Sequence, residues 1–251
     1  MIIIDSGNTS CKIWIRDRKI TKSYSEKFTG DEIVSLNQEN DSSIIYSTVA
    51  PRKVEKILIE IIKLGFRKIV DVGKFVKEGS LLGDEAKGMG SDRILGMIGV
   101  TTFLETPLIT VDCGTAVTVN LLKGKKVCAG GAIFAGYSSQ IKTLRENTEG
   151  ITFGEYKAFK KAIGKSTEEA LQSGVLHSIA GGIILLKENF LKESGFQECS
   201  LVITGGDGEM VYKKLKEENI DCIFKNDLIK LGIEEVFKNM SEIQKEKYLM
   251  K

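Results

Sequence analysis

One short pattern occurs twice in this chain, in the same order over more than a dozen residues, and it constrains the fold more than any other feature. The first copy spans residues 2–20 around Asp5-Ser6-Gly7-Asn8-Thr9, and the second spans residues 108–127 around Asp112-Cys113-Gly114-Thr115. Each copy predicts a strand, an Asp-x-Gly turn, a second strand, a tight turn and a third strand. A repeated supersecondary unit indicates a duplicated domain. Two matched turns with a carboxylate and a hydroxyl indicate two loops that hold one phosphorylated ligand.

Strands and helices alternate along the rest of the chain, which favours an α/β fold. Further strands are predicted at 43–48, 67–72, 200–204 and 220–224, and helices at 54–64, 93–104, 138–147, 167–191, after Gly208 to about 216, and 228–240. The glycine-rich segment 130–136 is expected to follow the strand at 126–128. Ser166 or Thr167 is the expected N-cap of the longest helix. Pro107 stands directly before the second copy of the repeat and predicts a domain boundary there. We therefore expect domains at 1–106 and 107–251.

Composition and charge exclude several classes of function. The 36 Lys and Arg against 34 Asp and Glu leave a net charge of +2, which gives no reason to expect a nucleic acid or an anionic membrane as partner. The 5 cysteines form no Cys-x-x-Cys pair, which argues against a zinc site and suits a reducing cytoplasm. The longest apolar run, 179–186, contains two glycines and predicts the buried part of a helix rather than a membrane span.

The first Asp-x-Gly turn has the chemistry of a phosphate loop. We expect Gly7 to adopt a backbone conformation closed to other residues and to let a ligand approach. Successive N–H groups in such a turn can bind an anion, and Asn8 and Thr9 add neutral donors. Asp5 would then face Mg²⁺ on the nucleotide. The alternative is an ordinary hairpin turn whose Asp and Asn bond their own backbone, but the second copy of the turn favours the functional interpretation.

Two further segments allow a structural and a functional interpretation. In Gly90-Ser91-Asp92-Arg93, Ser91 or Asp92 could merely cap a helix, or Asp92 could act as the general base of a kinase while Arg93 holds an anionic substrate. Thr204-Gly205-Gly206-Asp207 could contact a nucleotide or simply join a strand to a helix. The only histidine, His177, lies within a predicted helix and is expected to be a packed residue.

Taken together, these segments resemble the superfamily of acetate and sugar kinases, heat-shock ATPases and actin, and within it the type III pantothenate kinases. The resemblance covers positions 5 to 206, and all six of the family's motifs occur in order. They are Asp5-Ser6-Gly7-Asn8-Thr9, Gly90-Ser91-Asp92-Arg93, Asp112-Cys113-Gly114-Thr115-Ala116, Gly130-Gly131-Ala132-Ile133, Thr167-Glu168-Glu169-Ala170-Leu171-Gln172-Ser173-Gly174 and Thr204-Gly205-Gly206. The resemblance implies duplicated actin-like (ribonuclease H-like) domains, each a mixed sheet flanked by helices.

The resemblance also implies an enzyme, a homodimeric and cytoplasmic kinase that phosphorylates pantothenate to 4'-phosphopantothenate in the first step of coenzyme A biosynthesis. Its cofactors would be ATP, Mg²⁺ and a monovalent cation, K⁺ or NH₄⁺. Asp92 would be the general base, Asp112 would bind the monovalent cation, and Asp5 would face Mg²⁺. The residues implied to bind ATP are Asp5, Ser6, Gly7, Asn8, Thr9, Ser10, Cys11, Lys12, Thr115, Gly205 and Gly206. Those implied to bind pantothenate are Gly90, Ser91, Asp92, Arg93 and Thr167.

The chain departs from the family's pattern at two places. Relatives often carry a substrate-contacting Tyr about nine residues before the Asp of Gly-x-Asp-Arg, where this chain has Leu82-Gly83-Asp84-Glu85. Relatives also often carry Pro-Gly where this chain has Ala135-Gly136. The first departure leaves a kinase for another small hydroxy acid or sugar as an alternative. A non-catalytic regulatory or accessory protein on the same scaffold is a second alternative, against which the presence of Asp5, Asp92 and Asp112 argues.

Overall fold

The computed structural model describes residues 1–15, 18–24, 43–63, 65–66, 68–79, 88–124, 127–150 and 161–250. The strands are β1 (Ile2–Ser6), β2 (Ser10–Ile15), β3 (Arg18–Ser23), β4 (Ser43–Thr48), β5 (Lys68–Asp71), β6 (Leu108–Cys113), β7 (Ala116–Gly124), β8 (Val127–Ala135), β9 (Ser200–Thr204) and β10 (Ile223–Phe224). The helices are α1 (Pro51–Lys63), α2 (Val72–Glu78), α3 (Ser91–Val100), α4 (Tyr137–Asn147), α5 (Thr167–Ser194), α6 (Gly208–Glu217), α7 (Leu228–Asn239) and α8 (Glu242–Lys247). They fall into two compact units.

The two units contain sheets of the same topology. In the first unit the strand order is β3-β2-β1-β4-β5, and in the second it is β8-β7-β6-β9-β10. In both sheets the first two pairings are antiparallel and the other two are parallel. The repeat in the sequence supplies the three antiparallel strands of each sheet. The prediction of a duplicated fold, with a mixed sheet and helices in each half, is thereby confirmed.

The first unit consists of Met1–Phe103 together with Leu228–Lys251. Alternate residues of its strands face two apolar clusters, because successive side chains of a strand point to opposite faces. Ile2, Ile4 and Ile13 belong to the cluster that includes α1. Ile3 and Trp14 belong to the cluster that includes α3 and α7. The sheet is therefore covered on both faces, as expected for parallel strands.

The C-terminal segment corrects the predicted domain 107–251, because residues 228–251 belong to the first unit and the second unit is Leu104–Asp227. Helix α7 buries Ile229, Ile233 and Val236 in the first unit's core. Helices α3 and α7 approach so closely that a Cβ on Gly99 or Gly232 would overlap backbone atoms of the other helix. After α8 the chain pairs with the edge of β5, since Met250 N–H donates to the carbonyl of Ile69 at 2.8 Å.

In the second unit the core lies around the long helix α5. Its residues Val175, Leu176, Ile179, Ala180 and Ile183 belong to the main apolar cluster together with residues of β6, β7, β9 and α6. By length and composition alone, α5 is the one helix among the described residues that could cross a membrane, with a mean hydropathy of 1.3 in its most apolar window. A core helix meets the same criterion, and this one contributes a buried face to the core.

Most predicted elements differ from the observed ones only at their ends. Three corrections are larger. The glycine-rich segment 130–135 forms the second half of β8 rather than following that strand, and the predicted strand 220–224 is limited to Ile223–Phe224. Helix α2 was not predicted. It begins after Asp71, whose carboxylate accepts a hydrogen bond from the N–H of Lys74 at 2.7 Å and so caps the helix.

Candidate active site

The first Asp-x-Gly turn joins β1 to β2 at one edge of the first sheet. Asp5 lies opposite Lys12 in the antiparallel register, and the Lys12 Nζ is 3.7 Å from Asp5 Oδ2. The Asp5 side chain is only 6% exposed, and Lys12 is an oppositely charged neighbour for it. The N–H of Gly7 donates to the carbonyl of Ser10 at 3.0 Å and closes the turn.

Gly7 corrects one sequence expectation, because its backbone does not lie in the left-handed region that favours glycine. A Cβ on Gly7 would meet only the carbonyl oxygen of Ser10, at an ordinary contact distance of 3.5 Å. Gly114 in the second turn has the same property, since its Cβ would lie 3.8 Å from the Ala116 carbonyl and from Asp112 Oδ1. Neither glycine is required by backbone conformation or by contacts among the described residues. A Cβ would fit at both positions in ordinary van der Waals contact.

Two predicted ligand residues of the first turn point into the protein. Ser6 is fully buried, and its hydroxyl lies 2.5 Å from the hydroxyl of Tyr24. Cys11 is also fully buried, and burial followed by the charge of Asp5 raises its pKa to about 12, so it remains a neutral thiol. Their side chains are therefore not available to a ligand. Asn8 and Thr9 are exposed at the tip of the turn.

Asp92 lies in the first turn of α3, a favourable position for a carboxylate because of the helix dipole. The helix is held by the buried Ser91, which accepts a hydrogen bond from Ser47 Oγ at 3.1 Å. Ser47 stands beside Asp5 in the parallel register of β4 and β1. Neighbouring strands are about 4.8 Å apart, so this contact brings the start of α3 to the edge of the sheet that carries Asp5. Sequence reasoning missed Ser47, which no motif distinguishes.

Gly90 and Arg93 both lie next to the Asp92 carboxylate at the start of α3. The Asp92 carboxylate accepts a hydrogen bond from the N–H of Arg93 at 2.8 Å. A Cβ on Gly90 would overlap Asp92 Oδ1, so glycine at this position leaves room for the carboxylate. Asp92 and Arg93 are each half-buried, and a substrate can reach both. Gly90, Ser91, Asp92 and Arg93 thus lie at the start of α3, with Gly90 as its N-cap.

The second turn is built from three segments of the second unit. Asp112 lies near the end of β6, beside Thr204 of β9 in the parallel register. Gly205 has a φ of +98°, and a Cβ there would overlap Asp112 Oδ1 and the Cys113 carbonyl. Gly205 is therefore required by the fold. The Thr115 carbonyl accepts hydrogen bonds from Ser139 Oγ at 2.6 Å and from the N–H of Gly136 at 3.0 Å, which fixes the turn.

A cavity of about 350 Å³ adjoins this second turn. It is lined by Gly206, Asp207 and Met210 at the start of α6, by Tyr137 and Ser138 at the start of α4, and by Leu176, Glu209, Lys213, Lys214 and Glu217. Burial raises the pKa of Asp207, and burial followed by the charge of Asp207 raises the pKa of Tyr137 to about 12. The Tyr137 hydroxyl is buried without a hydrogen-bond partner among the described residues. The cavity has the size and mixed polarity of a small-ligand site.

The remaining predicted residues are placed as follows. Thr167 is exposed at the first position of α5, and the preceding Ser166 is the N-cap, its Oγ accepting from the N–H of Glu169 at 3.1 Å. His177 is half-buried on α5, with Nδ1 2.8 Å from the Ser173 carbonyl, as expected for a packed histidine. The segment 82–85 lies outside the described residues. Within the described residues no three Cys, His, Asp or Glu side chains form a metal cluster.

This chain is similar to known proteins in sequence and in fold. The type III pantothenate kinase of Persephonella marina is 28% identical over 250 residues, covering 93% of this chain and 96% of that protein. A Campylobacter jejuni protein assigned to the Baf family of transcriptional activators has a similar fold, with a TM-score of 0.59 at 20% identity, covering 95% of this chain and 98% of that one.

A Sinorhizobium meliloti protein assigned as a 2-dehydro-3-deoxygalactonokinase is also similar in fold. Its TM-score is 0.54 at 14% identity, and the match covers 96% of this chain and 98% of that one. Both structural likenesses are below 25% identity and concern the actin-like fold alone. The sequence model of the type III pantothenate kinases matches residues 1–187, and this chain is therefore a member of the type III pantothenate kinase family.

Proposed function

We propose that this protein transfers the γ-phosphoryl group of ATP to the hydroxyl of pantothenate, with Asp92 as general base and the two Asp-x-Gly turns as phosphate-binding loops. Membership of the type III pantothenate kinases makes it an ATP-dependent phosphotransferase of coenzyme A biosynthesis. Phosphoryl transfer needs little covalent chemistry from a protein, since positioning and charge neutralisation provide most of the catalysis. The assignment of roles therefore depends on where donors and carboxylates lie.

The single observation that carries this assignment is that a Cβ would fit at Gly7 and at Gly114 without strain. A glycine that neither backbone conformation nor packing requires has another reason to lack a side chain, and close approach of a ligand to the backbone is such a reason. A turn that presents successive N–H groups binds phosphate oxygens. The matched turns thus support phosphate binding by backbone groups of residues 5–12 and by Thr115.

Asp92 is proposed to accept the proton of the pantothenate hydroxyl as the oxygen–phosphorus bond forms. A base for this reaction must reach the attacking hydroxyl, and the half-buried position at the start of α3 leaves the carboxylate accessible. Arg93, the next residue, suits the carboxylate of pantothenate because guanidinium and carboxylate pair through two hydrogen bonds. Gly90 and Ser91 would contact the substrate through their backbone.

Two carboxylates are proposed to serve cations. Asp5 fits Mg²⁺, because this ion is held by one or two carboxylates together with phosphate oxygens and does not need a cluster of protein ligands. When bound, Mg²⁺ would neutralise charge on the phosphates. Asp112 is proposed to hold K⁺ or NH₄⁺, since its Oδ1 lies beside both Gly114 and Gly205, and oxygen atoms can coordinate K⁺. Lys12 remains beside Asp5 as a phosphate-binding cation.

The cavity next to Gly206 is proposed to hold the nucleoside of ATP. It continues directly from Gly205 and Gly206, so a nucleotide whose phosphates lie at the second turn would place its nucleoside there. Met210 and Leu176 offer apolar contacts to a base, and Asp207 offers an acceptor to a ribose hydroxyl. The buried hydroxyl of Tyr137 would gain a partner when the cavity is occupied.

A cytoplasmic homodimer without a nucleic-acid or membrane partner remains our expectation for the assembly. The support is an uncharged stripe on the exposed side of α5, formed by Gly174, Ser178, Gly181 and Leu185, of which Leu185 is 57% exposed. Small residues on one helix face allow a second helix to approach closely. Replacement of Leu185 by Lys should shift the protein towards monomer in light scattering, and an unchanged mass would exclude this surface.

A substrate panel tests the proposed reaction. We expect phosphorylation of pantothenate at a much higher efficiency than of other small hydroxy acids or sugars. A clearly better alternative acceptor would assign the protein to a different kinase activity, which the sequence Leu82-Gly83-Asp84-Glu85 keeps open. Nucleic-acid binding without ATP turnover under any cation would instead favour a regulatory protein on this scaffold.

A further inference from the structure

Two side chains outside the family's motifs donate hydrogen bonds to backbone carbonyls of the first Asp-x-Gly turn. Tyr24 follows the end of β3, and Lys53 lies in the first turn of α1, so both are distant from the turn in sequence. We propose that Tyr24 and Lys53 are positioning residues that fix the first turn in the conformation that binds ATP phosphates. The inference rests on the proposed binding of phosphate by this turn.

The hydroxyl of Tyr24 forms two hydrogen bonds within the turn. It donates to the carbonyl of Gly7 at 3.0 Å and lies 2.5 Å from Ser6 Oγ. A phenol has one hydrogen, so when that hydrogen goes to Gly7 the Ser6 hydroxyl must act as the second donor. Burial is the main cause that raises the pKa of Tyr24, and the residue stays a neutral donor at physiological pH. The N–H of Tyr24 also donates to the carbonyl of Thr9 at 3.4 Å.

Lys53 holds the next carbonyl of the same turn. Its Nζ donates a hydrogen bond to the carbonyl of Asn8. The same ammonium group lies 4.8 Å from the centre of the Tyr24 ring, within the range of a cation–π interaction. Tyr24 and Lys53 therefore contact each other and act on the same side of the turn.

These contacts determine the direction of two N–H groups. In a trans peptide the C=O and the N–H of the same unit point in opposite directions. Because Tyr24 holds the Gly7 carbonyl and Lys53 holds the Asn8 carbonyl, the N–H groups of Asn8 and Thr9 are directed to the opposite side. Two successive N–H groups on one side of a turn form a concave site for an anion. The positive charge of Lys53 beside the turn further favours a phosphate.

A purely structural role would have different consequences. If Tyr24 and Lys53 only stabilised the hairpin of β1 and β2, their loss would lower the melting temperature and would weaken the binding of ATP and of pantothenate to the same extent. If they orient the turn, their loss should weaken the binding of ATP and ADP while leaving pantothenate binding and the melting temperature nearly unchanged. The split between the two substrates therefore distinguishes the roles.

The experiment compares Tyr24→Phe and Lys53→Met with matched controls in the same unit. Tyr248→Phe removes a hydroxyl that bonds Glu78 at 2.7 Å, and Lys56→Met removes an exposed ammonium from the same helix. Loss of one hydrogen bond predicts a rise of about 3- to 10-fold in the KM for ATP and in the Kd for ADP in each test variant. The KM for pantothenate and the melting temperature should match the controls, and Lys53→Arg should restore most of the ATP affinity.

A KM for ATP that stays at the wild-type value in both test variants would overturn the proposal. An equal rise for both substrates together with a lower melting temperature would also overturn it, in favour of the structural role. Gly7→Ala distinguishes this failure from that of the proposed function. If Gly7→Ala weakens ATP binding while Tyr24→Phe and Lys53→Met do not, the turn binds phosphate without needing the Tyr24 and Lys53 side chains. If Gly7→Ala is also neutral, the phosphates do not lie on this turn.

Discussion

Replacement of Gly114 by Ala should weaken ATP binding without lowering the stability of the fold. Gly114 lies outside the left-handed region, and the added Cβ would meet its nearest neighbours at 3.8 Å. Replacement of such a glycine by Ala stabilises a fold by about 0.4–1 kcal/mol through the unfolded state. The melting temperature should therefore stay the same or rise.

The effect on ATP should be large in the same variant. A methyl group on Gly114 would displace a phosphate bound to this turn from at least one backbone N–H, and a hydrogen bond to a charged group contributes about 1.5–3 kcal/mol. That loss corresponds to a rise of about 10- to 100-fold in the KM for ATP. Gly7→Ala in the first turn should behave in the same way, since its Cβ also meets no close neighbour.

Gly205→Ala serves as the comparison variant, because it should lose stability where Gly114→Ala should not. Its φ of +98° and the overlap of a Cβ with the Cys113 carbonyl predict a loss of at least about 2 kcal/mol in stability. For a chain of this size that loss lowers the melting temperature by roughly 4–8 °C. Differential scanning calorimetry and steady-state kinetics with ATP varied would measure both effects. The reasoning fails if Gly114→Ala binds ATP like the wild type, or if it loses as much stability as Gly205→Ala.

Three further predictions concern carboxylates. Asp92→Asn should keep its Kd for ATP in calorimetry but lose turnover by about 10²- to 10⁴-fold, because a general base contributes that much. Asp112→Asn should need more K⁺ for half-maximal activation, measured as rate against K⁺ concentration. Burial raises the pKa of Asp207 above its ordinary value of 3.8, so ionisation costs stability as pH rises through the folded pKa. Asp207→Asn should therefore melt at a higher temperature than the wild type at pH 7, and this gain should vanish below pH 3.8.

Each of these predictions has a contradicting outcome. Near-normal turnover of Asp92→Asn would remove this residue from the mechanism, with the exposed Asp221→Asn as the control for a lost charge. An unchanged K⁺ dependence of Asp112→Asn would place the cation elsewhere. A gain in melting temperature that is the same at all pH values would show that Asp207 acts through a contact other than its charge.

The duplicated fold could be predicted because its signals are local. Alternating apolar residues and two copies of an Asp-x-Gly turn determine strands and reversals over short stretches of chain, and the two sheets follow the repeat. Asp92 and Ser91 could likewise be placed at a helix start from four consecutive residues. The turn at Gly7 was predicted correctly, but the expected left-handed backbone of Gly7 was wrong.

Other features depend on contacts between distant segments and have no local signal. The apolar stripe of α7 would fit either core, and its burial in the first unit, with the close approach of Gly99 and Gly232, is seen only in the folded structure. Tyr24 and Lys53 are an ordinary tyrosine and lysine in sequence, yet both contact the first turn. Ser47 supports Ser91 across 44 residues of chain. These residues could be identified only from the folded structure.

The most direct test of the central claim is the ATP-dependent conversion of pantothenate to 4'-phosphopantothenate, followed by mass spectrometry with and without K⁺. We predict one 4'-phosphopantothenate formed for each ATP consumed, at a rate that rises with K⁺. Absence of the phosphorylated product under every cation tested, with the wild-type protein folded and ATP bound, would contradict the proposed activity of this chain.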